Sequence, residues 1–129
     1  MKKMFFICLT LLLASCQEPY EKAIDKYYQT HLKDASSYEV VRTSNTPQKL
    51  TPTSYIMFQY ENSGKVLLEK LETFRANCKK QGKDPNEHIG YYVEHEYRAK
   101  NSFGAKVTHK DRIYFDKELN QIINVEHIK

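Results

Sequence analysis

Apolar and polar positions change rhythm along this chain, and each rhythm predicts a different element. Met4 to Ala14 is an almost unbroken apolar run behind Lys2 and Lys3. Tyr20, Ala23, Ile24, Tyr27, Tyr28, His31 and Leu32 then recur at three- and four-residue intervals, the spacing of one face of an α-helix. That helix is expected to end near Lys33 and Asp34. Tyr38 to Thr43, rich in β-branched and aromatic residues, predicts a first strand. Asn45 to Thr53 places Pro47 and Pro52 among mostly polar residues and reads as a loop.

Tyr55 to Tyr60 carries two competing signals. Its composition suits a strand, whereas Thr53 and Ser54 as caps and the four-residue interval from Ile56 to Tyr60 suit a helix, which is the expectation adopted. Asn62-Ser63-Gly64 breaks it. Val66 to about Gln81 is expected as a helix on the stripe Leu67, Leu71, Phe74 and Cys78, with Gly82 as its stop.

From Ile89 the period becomes two. Tyr91, Val93, His95 and Tyr97 share one face of a strand, and Tyr92, Glu94, Glu96 and Arg98 share the other. Asn101-Ser102-Phe103-Gly104 supplies turn residues, and Ala105 to Phe115 alternates again, which predicts a hairpin. Pairing Tyr97 with Val107 would set Tyr91 against Ile113, Glu94 against Lys110 and Tyr92 against Arg112. Asp116 to Asn120 reads as a turn with Asn120 left-handed, and Gln121 to Ile128 as a last short strand. The order predicts an α+β domain with helices packed on one face of a small, mostly antiparallel sheet of about four strands, ending in a three-strand meander.

The apolar N-terminal run is far shorter than the roughly 20 residues that span a bilayer, and with its two lysines it has the form of a secretory signal peptide. Leu13-Ala14-Ser15-Cys16 follows at once and is a lipobox: cleavage before Cys16 and lipid attachment there are expected. The chain then divides into a leader (1–15), a lipidated tether (16–19) and one α+β domain (20–129). Its first partner is the membrane itself, through the lipid on Cys16. Gln17 is not an acidic retention residue, which favours the outer membrane as the envelope address, on either its periplasmic or its surface side.

Removing the leader takes two of the 20 basic residues, so 18 face 16 acidic ones and the net charge falls from +4 to +2. Such a balance gives no electrostatic footprint for nucleic acid. Cys78 is the one cysteine left without lipid, so no disulfide forms within the mature chain; its place on a helical stripe predicts a buried thiol. Ten tyrosines and no tryptophan suit half-buried sheet faces where one end of the ring stays wet.

No metalloprotease, nucleophile-elbow, phosphate-loop or dinucleotide motif is present, and no cofactor is expected. In the register above His95 faces His109 with Asp111 two residues on, a trio that could hold zinc; half-buried histidines bonded to neighbours are the simpler expectation. Glu94 and Glu96 share a strand face, where Lys110 and Arg98 explain them as a charge ladder better than acid–base catalysis does.

The turn carries the most distinctive residues. Phe103 either folds back onto the sheet edge, with Asn101 and Gly104 supplying unusual backbone angles, or stands out with Arg98 and Lys100 as an interaction tip; the first accounts for every residue of the segment. Arg98, Lys100, Asn101 and Phe103 are thus the candidate interaction site.

Leu32 to Glu39 together with Tyr97 to Gly104 resembles small uncharacterised lipoproteins of Bacteroidota-type bacteria, in which proline is frequent where this chain has Ala35. The resemblance implies an envelope location and an α+β fold, and no activity. Three classes of function are compatible with these readings: a binding or assembly module with a possible envelope protein partner, a small inhibitor or immunity-like protein, and an enzyme or metal-binding protein centred on His95, His109 and Asp111.

Overall fold

The computed structural model describes residues 17–44 and 46–128; the leader, the lipobox, Cys16 and Asn45 lie outside them. The first helix, α1 (Pro19–His31), starts with Pro19 at the position where a missing N–H costs nothing, and the Glu18 N–H donates to Glu21 Oε2 at 3.0 Å. It therefore begins inside the segment expected to be tether. Gln17 is also tied down, its Nε2 donating to Asp25 at 2.6 Å. The helix ends at His31, slightly early, and a 3-10 turn at Ala35–Ser37 leads into β1 (Glu39–Thr43).

The expected loop at 45–53 contains a strand, β2 (Gln48–Leu50). Its cause lies in the long β3 (Gly90–Lys100): β1 pairs with its later half, from Arg98 back to His95, and leaves the first residues without a partner on that side. Gln48, Lys49 and Leu50 pair with Tyr92, Tyr91 and Gly90, and Leu50 is buried. Pro47 sits just before the ladder, where it removes no needed donor.

The ambiguous segment is a helix, α2 (Pro52–Gln59), capped by Thr51, two residues before the first expected cap, Thr53. Thr51 Oγ1 accepts from the Ser54 N–H at 3.1 Å, and Ser54 Oγ accepts from the Thr51 N–H at 2.9 Å. The next helix, α3 (Lys65–Gln81), packs against α2 and stops at Gly82, whose φ of 64° is left-handed. Leu71 and Cys78 are its buried residues.

The hairpin partner β4 (Lys106–Phe115) and the last strand β5 (Ile122–His127) complete an antiparallel sheet in the order β1-β3-β4-β5, with β2 beside β3. The α+β class and antiparallel sheet are as the sequence predicts. The register differs by two residues: Tyr97 faces His109, His95 faces Asp111 and Glu94 faces Arg112. The loop is wider than expected, since Asn101 Oδ1 accepts from both the Phe103 and Ala105 N–H groups at 3.0 Å and Gly104 takes a φ of 81°. A slip of two leaves every side chain on its expected face. In the β4–β5 turn the left-handed residue is Leu119 (φ 58°) rather than Asn120, whose N–H is held by Asp116 Oδ1 at 3.0 Å.

Helices occupy both faces of the sheet, not one. Tyr20, Ile24 and Tyr28 of α1 pack on Val93, Tyr97, Ala99, Ile113 and Phe115. On the opposite face Tyr55 of α2 meets Tyr114 with ring centroids 5.4 Å apart, and Phe58 meets Tyr92 at 4.8 Å. Asp111 to Phe115 is consequently buried at five successive positions, a pattern no single covered face would produce.

Candidate functional site

Two regions hold the residues with chemical potential, and they are opposite in character. The first lies between α1 and the sheet. Tyr28 reaches down from the helix stripe and its hydroxyl donates to Asp111 Oδ2 at 2.5 Å; the other carboxylate oxygen meets His127 Nδ1 at 3.0 Å. His95, with no solvent exposure, has Tyr38 Oη 2.8 Å from Nε2 and Thr43 Oγ1 2.8 Å from Nδ1. A neutral imidazole has one donor and one acceptor, and a hydroxyl can serve either, so the ring is fully satisfied without charge. Burial pushes its pKa down to about 4, against a smaller opposing pull from Asp111 and Asp25.

Aromatic rings close the region. Tyr28 lies 4.5 Å from Tyr97 and 5.2 Å from both Tyr38 and His95, and His109 stacks on Tyr97 at 5.1 Å. Burial, and for Tyr28 also the bond to Asp111, raises the pKa of Tyr28, Tyr38 and Tyr97 above the ordinary phenol value.

The His95, His109 and Asp111 trio is not brought together as a ligand set. The true register sets His95 against Asp111 and turns His109 to Tyr97, and both nitrogens of His95 are already bonded. Among the described residues no three His, Cys, Asp or Glu side chains could hold a metal ion. Asp111 and His127 form a pair with the geometry of an oriented base, but among the described residues no serine, threonine or cysteine bonds to His127. The sequence reasoning missed this network because it rests on long-range pairings. One signal was available: an aspartate alternating with Ile113 and Phe115 on a buried face requires a partner, and Tyr28 lies on the helix stripe that packs there.

Glu94 and Glu96 are on the opposite face, in a shallow groove lined with Arg42, Thr43, Ser44 and Lys110. Lys110 Nζ lies 2.7 Å from Glu94, and Arg112 lies 3.6 Å from it. The hydrogen bond from Lys110 holds the Glu94 carboxyl below its ordinary value, the wrong direction for a general acid at neutral pH.

The second region is the β3–β4 hairpin tip. Phe103 does not fold back onto the sheet edge: it is 93% exposed. Asn101 is consumed in holding the loop, while Arg98 and Lys100 project from exposed positions on the strand below. The last rung sets Lys100 directly against Lys106, and Lys106 pairs with Glu39 of β1. The candidate residues are thereby gathered at one end of the sheet, with Asn101 as the organiser and Phe103, Lys100 and Arg98 as what the loop displays.

The start of α1 lies at the other end of the sheet. Tyr20 packs edge-on against Phe115, and Glu18, Pro19 and Tyr20 line a cleft with Glu118 and Leu119 of the β4–β5 turn. Ser37, beyond the far end of α1, accepts from the Lys100 N–H at 2.8 Å beside the tip. Nine residue steps separate the Tyr91–Phe115 rung from the Lys100–Lys106 rung, about 30 Å of strand. No helix among the described residues is long and apolar enough to cross a membrane. No protein-family model, no curated protein and no solved structure matches this chain.

Proposed function

We propose that the protein is a lipid-anchored envelope lipoprotein, held by Cys16 in the outer membrane, that works as a binding or assembly module. The observation that carries the binding reading is a contrast. Tyr28, His95 and Asp111 are buried and bonded to neighbouring side chains, whereas a large aromatic residue stands at 93% exposure on a loop fixed by Asn101. Exposed, pre-ordered aromatic residues suit recognition, since little freedom remains to be lost on contact. The anchor reading is supported by the leader and lipobox.

Two experiments test these parts separately. Cys16→Ser should move the protein from the detergent phase to the aqueous phase on phase partition; unchanged partition would remove the anchor. Crosslinking of the native protein in its own cells, followed by mass spectrometry, should capture a dominant partner, and its absence would remove the module. An inhibitor or immunity-like role is the second reading, favoured by the tip's shape: a projecting hairpin enters a cleft, whereas a concave surface would receive one.

A further inference from the structure

We infer that the hairpin tip is a plug for an acid-rimmed apolar socket on another protein, presented on the side of the domain that faces away from the anchoring membrane. The inference deepens the binding-module reading and rests on it. Its core is Phe103, a phenyl ring with almost all its surface in water and therefore with apolar area to bury.

The rim chemistry comes from charges. Lys100 and Lys106 are direct cross-strand neighbours, an arrangement that costs stability unless each finds a carboxylate. Glu39 meets Lys106. Among the described residues neither Lys100 nor Arg98 has an ion-pair partner, although Glu39 is the cross-strand neighbour of Arg98. Two cations outside any ion pair therefore lie on the strand just below the ring, Arg98 sharing only the longer-range field of Glu39, and carboxylates around a partner's pocket would complete them.

Position separates a protein from a lipid surface as the occupant. A cationic aromatic tip also suits anionic headgroups, but the anchor leaves the domain beside Pro19, at the end of the sheet about 30 Å of strand away from the tip. The membrane that holds the chain is thus at the wrong end.

The test places a photoreactive benzophenone side chain at position 103 of the full lipidated protein in its own cells, with Met57 and Leu68, two other exposed apolar positions, as separate controls. One protein captured from position 103 and not from the controls is expected. Titrated in purified form, that protein should lose at least ten-fold in affinity with Phe103→Ala. Lys100→Glu and Arg98→Glu should each lose several-fold and flatten the dependence of affinity on salt. Capture from a control position only would overturn the plug and leave the binding module standing, whereas capture from no position would remove both. Affinity unchanged by Phe103→Ala overturns the plug, as does crosslinking from position 103 into lipid or cosedimentation with phosphatidylglycerol vesicles that Phe103→Ala abolishes. Thermal melts of each variant identify a loss that comes from unfolding.

Discussion

Tyr28 and Asp111, 83 positions apart, share a buried hydrogen bond of 2.5 Å that fastens the first helix to the centre of the sheet. The other oxygen of the carboxylate meets His127. Tyr28→Phe preserves the ring packing and removes the hydroxyl alone, so the loss reports the bond: about 1.5–3 kcal/mol, as for hydrogen bonds to charged groups. Urea denaturation of the two proteins measures it directly, and equal midpoints would show that the bond contributes nothing.

Acid should destabilise the fold through His95. Its pKa is about 4 when folded and about 6.5 when unfolded, so between these values only the unfolded chain takes the proton. Stability is therefore complete above pH 6.5, falls as pH is lowered towards 4, and levels off below, with about 3 kcal/mol lost over the window. His95→Gln should flatten the dependence of melting temperature on pH in this range. A wild-type slope that persists in the variant would assign it to other groups.

Alkali should act through the tyrosines. Tyr28, Tyr38, Tyr97 and Tyr114 are all raised, with burial the largest cause in each, so stability is present below pH 10 and declines as pH rises past the unfolded phenol value. In an ultraviolet titration these four phenols should ionise together with loss of the fold. Ionisation of all four while the fold is still intact would contradict the buried network.

At Gly90 a β-carbon would sit 2.3 Å from the Phe115 carbonyl oxygen, a backbone atom that cannot move aside alone. Gly90→Ala should cost about 3 kcal/mol, the upper part of the range for overpacking, by forcing β3 and β4 apart at their first rung. Calorimetry reads the drop in melting temperature. A melting temperature within a degree of the parent would mean the strands are not so closely placed.

Period and caps made α1, α3 and the hairpin legible in the sequence, because each signal is local. Tyr20 to Leu32 repeats at helical spacing, Gly82 stops a helix, and alternation through Tyr97 and Ile113 assigns faces. The two-residue error in register had a local cause: Asn101 holds a five-residue loop with its own side chain. Parity survived the error, so the faces were right while the partners were wrong. What stayed hidden depends on contacts between distant segments. Gln48 to Leu50 is a strand because β3 had an empty edge there, and the burial of His95 depends on Tyr38 and Thr43 arriving from other elements. At the candidate site the residues were legible and the orientation was not: Phe103 projects where the segment alone favoured a ring folded back.

The burial of Asp111 to Phe115 on both sides bears on how the chain reaches its fold. α1 and α2 each dock on residues of both β3 and β4, so neither has its full surface until β4 lies beside β3, and each then covers a different side of the same five residues. The hairpin, closed by a loop of five residues, is the pairing that loop entropy opposes least, and both helices are bound to wait for it. Once it forms, a slip of one residue would put Arg112 among the tyrosines and Asp111 beneath α2, so the two helices proofread the strand from opposite sides.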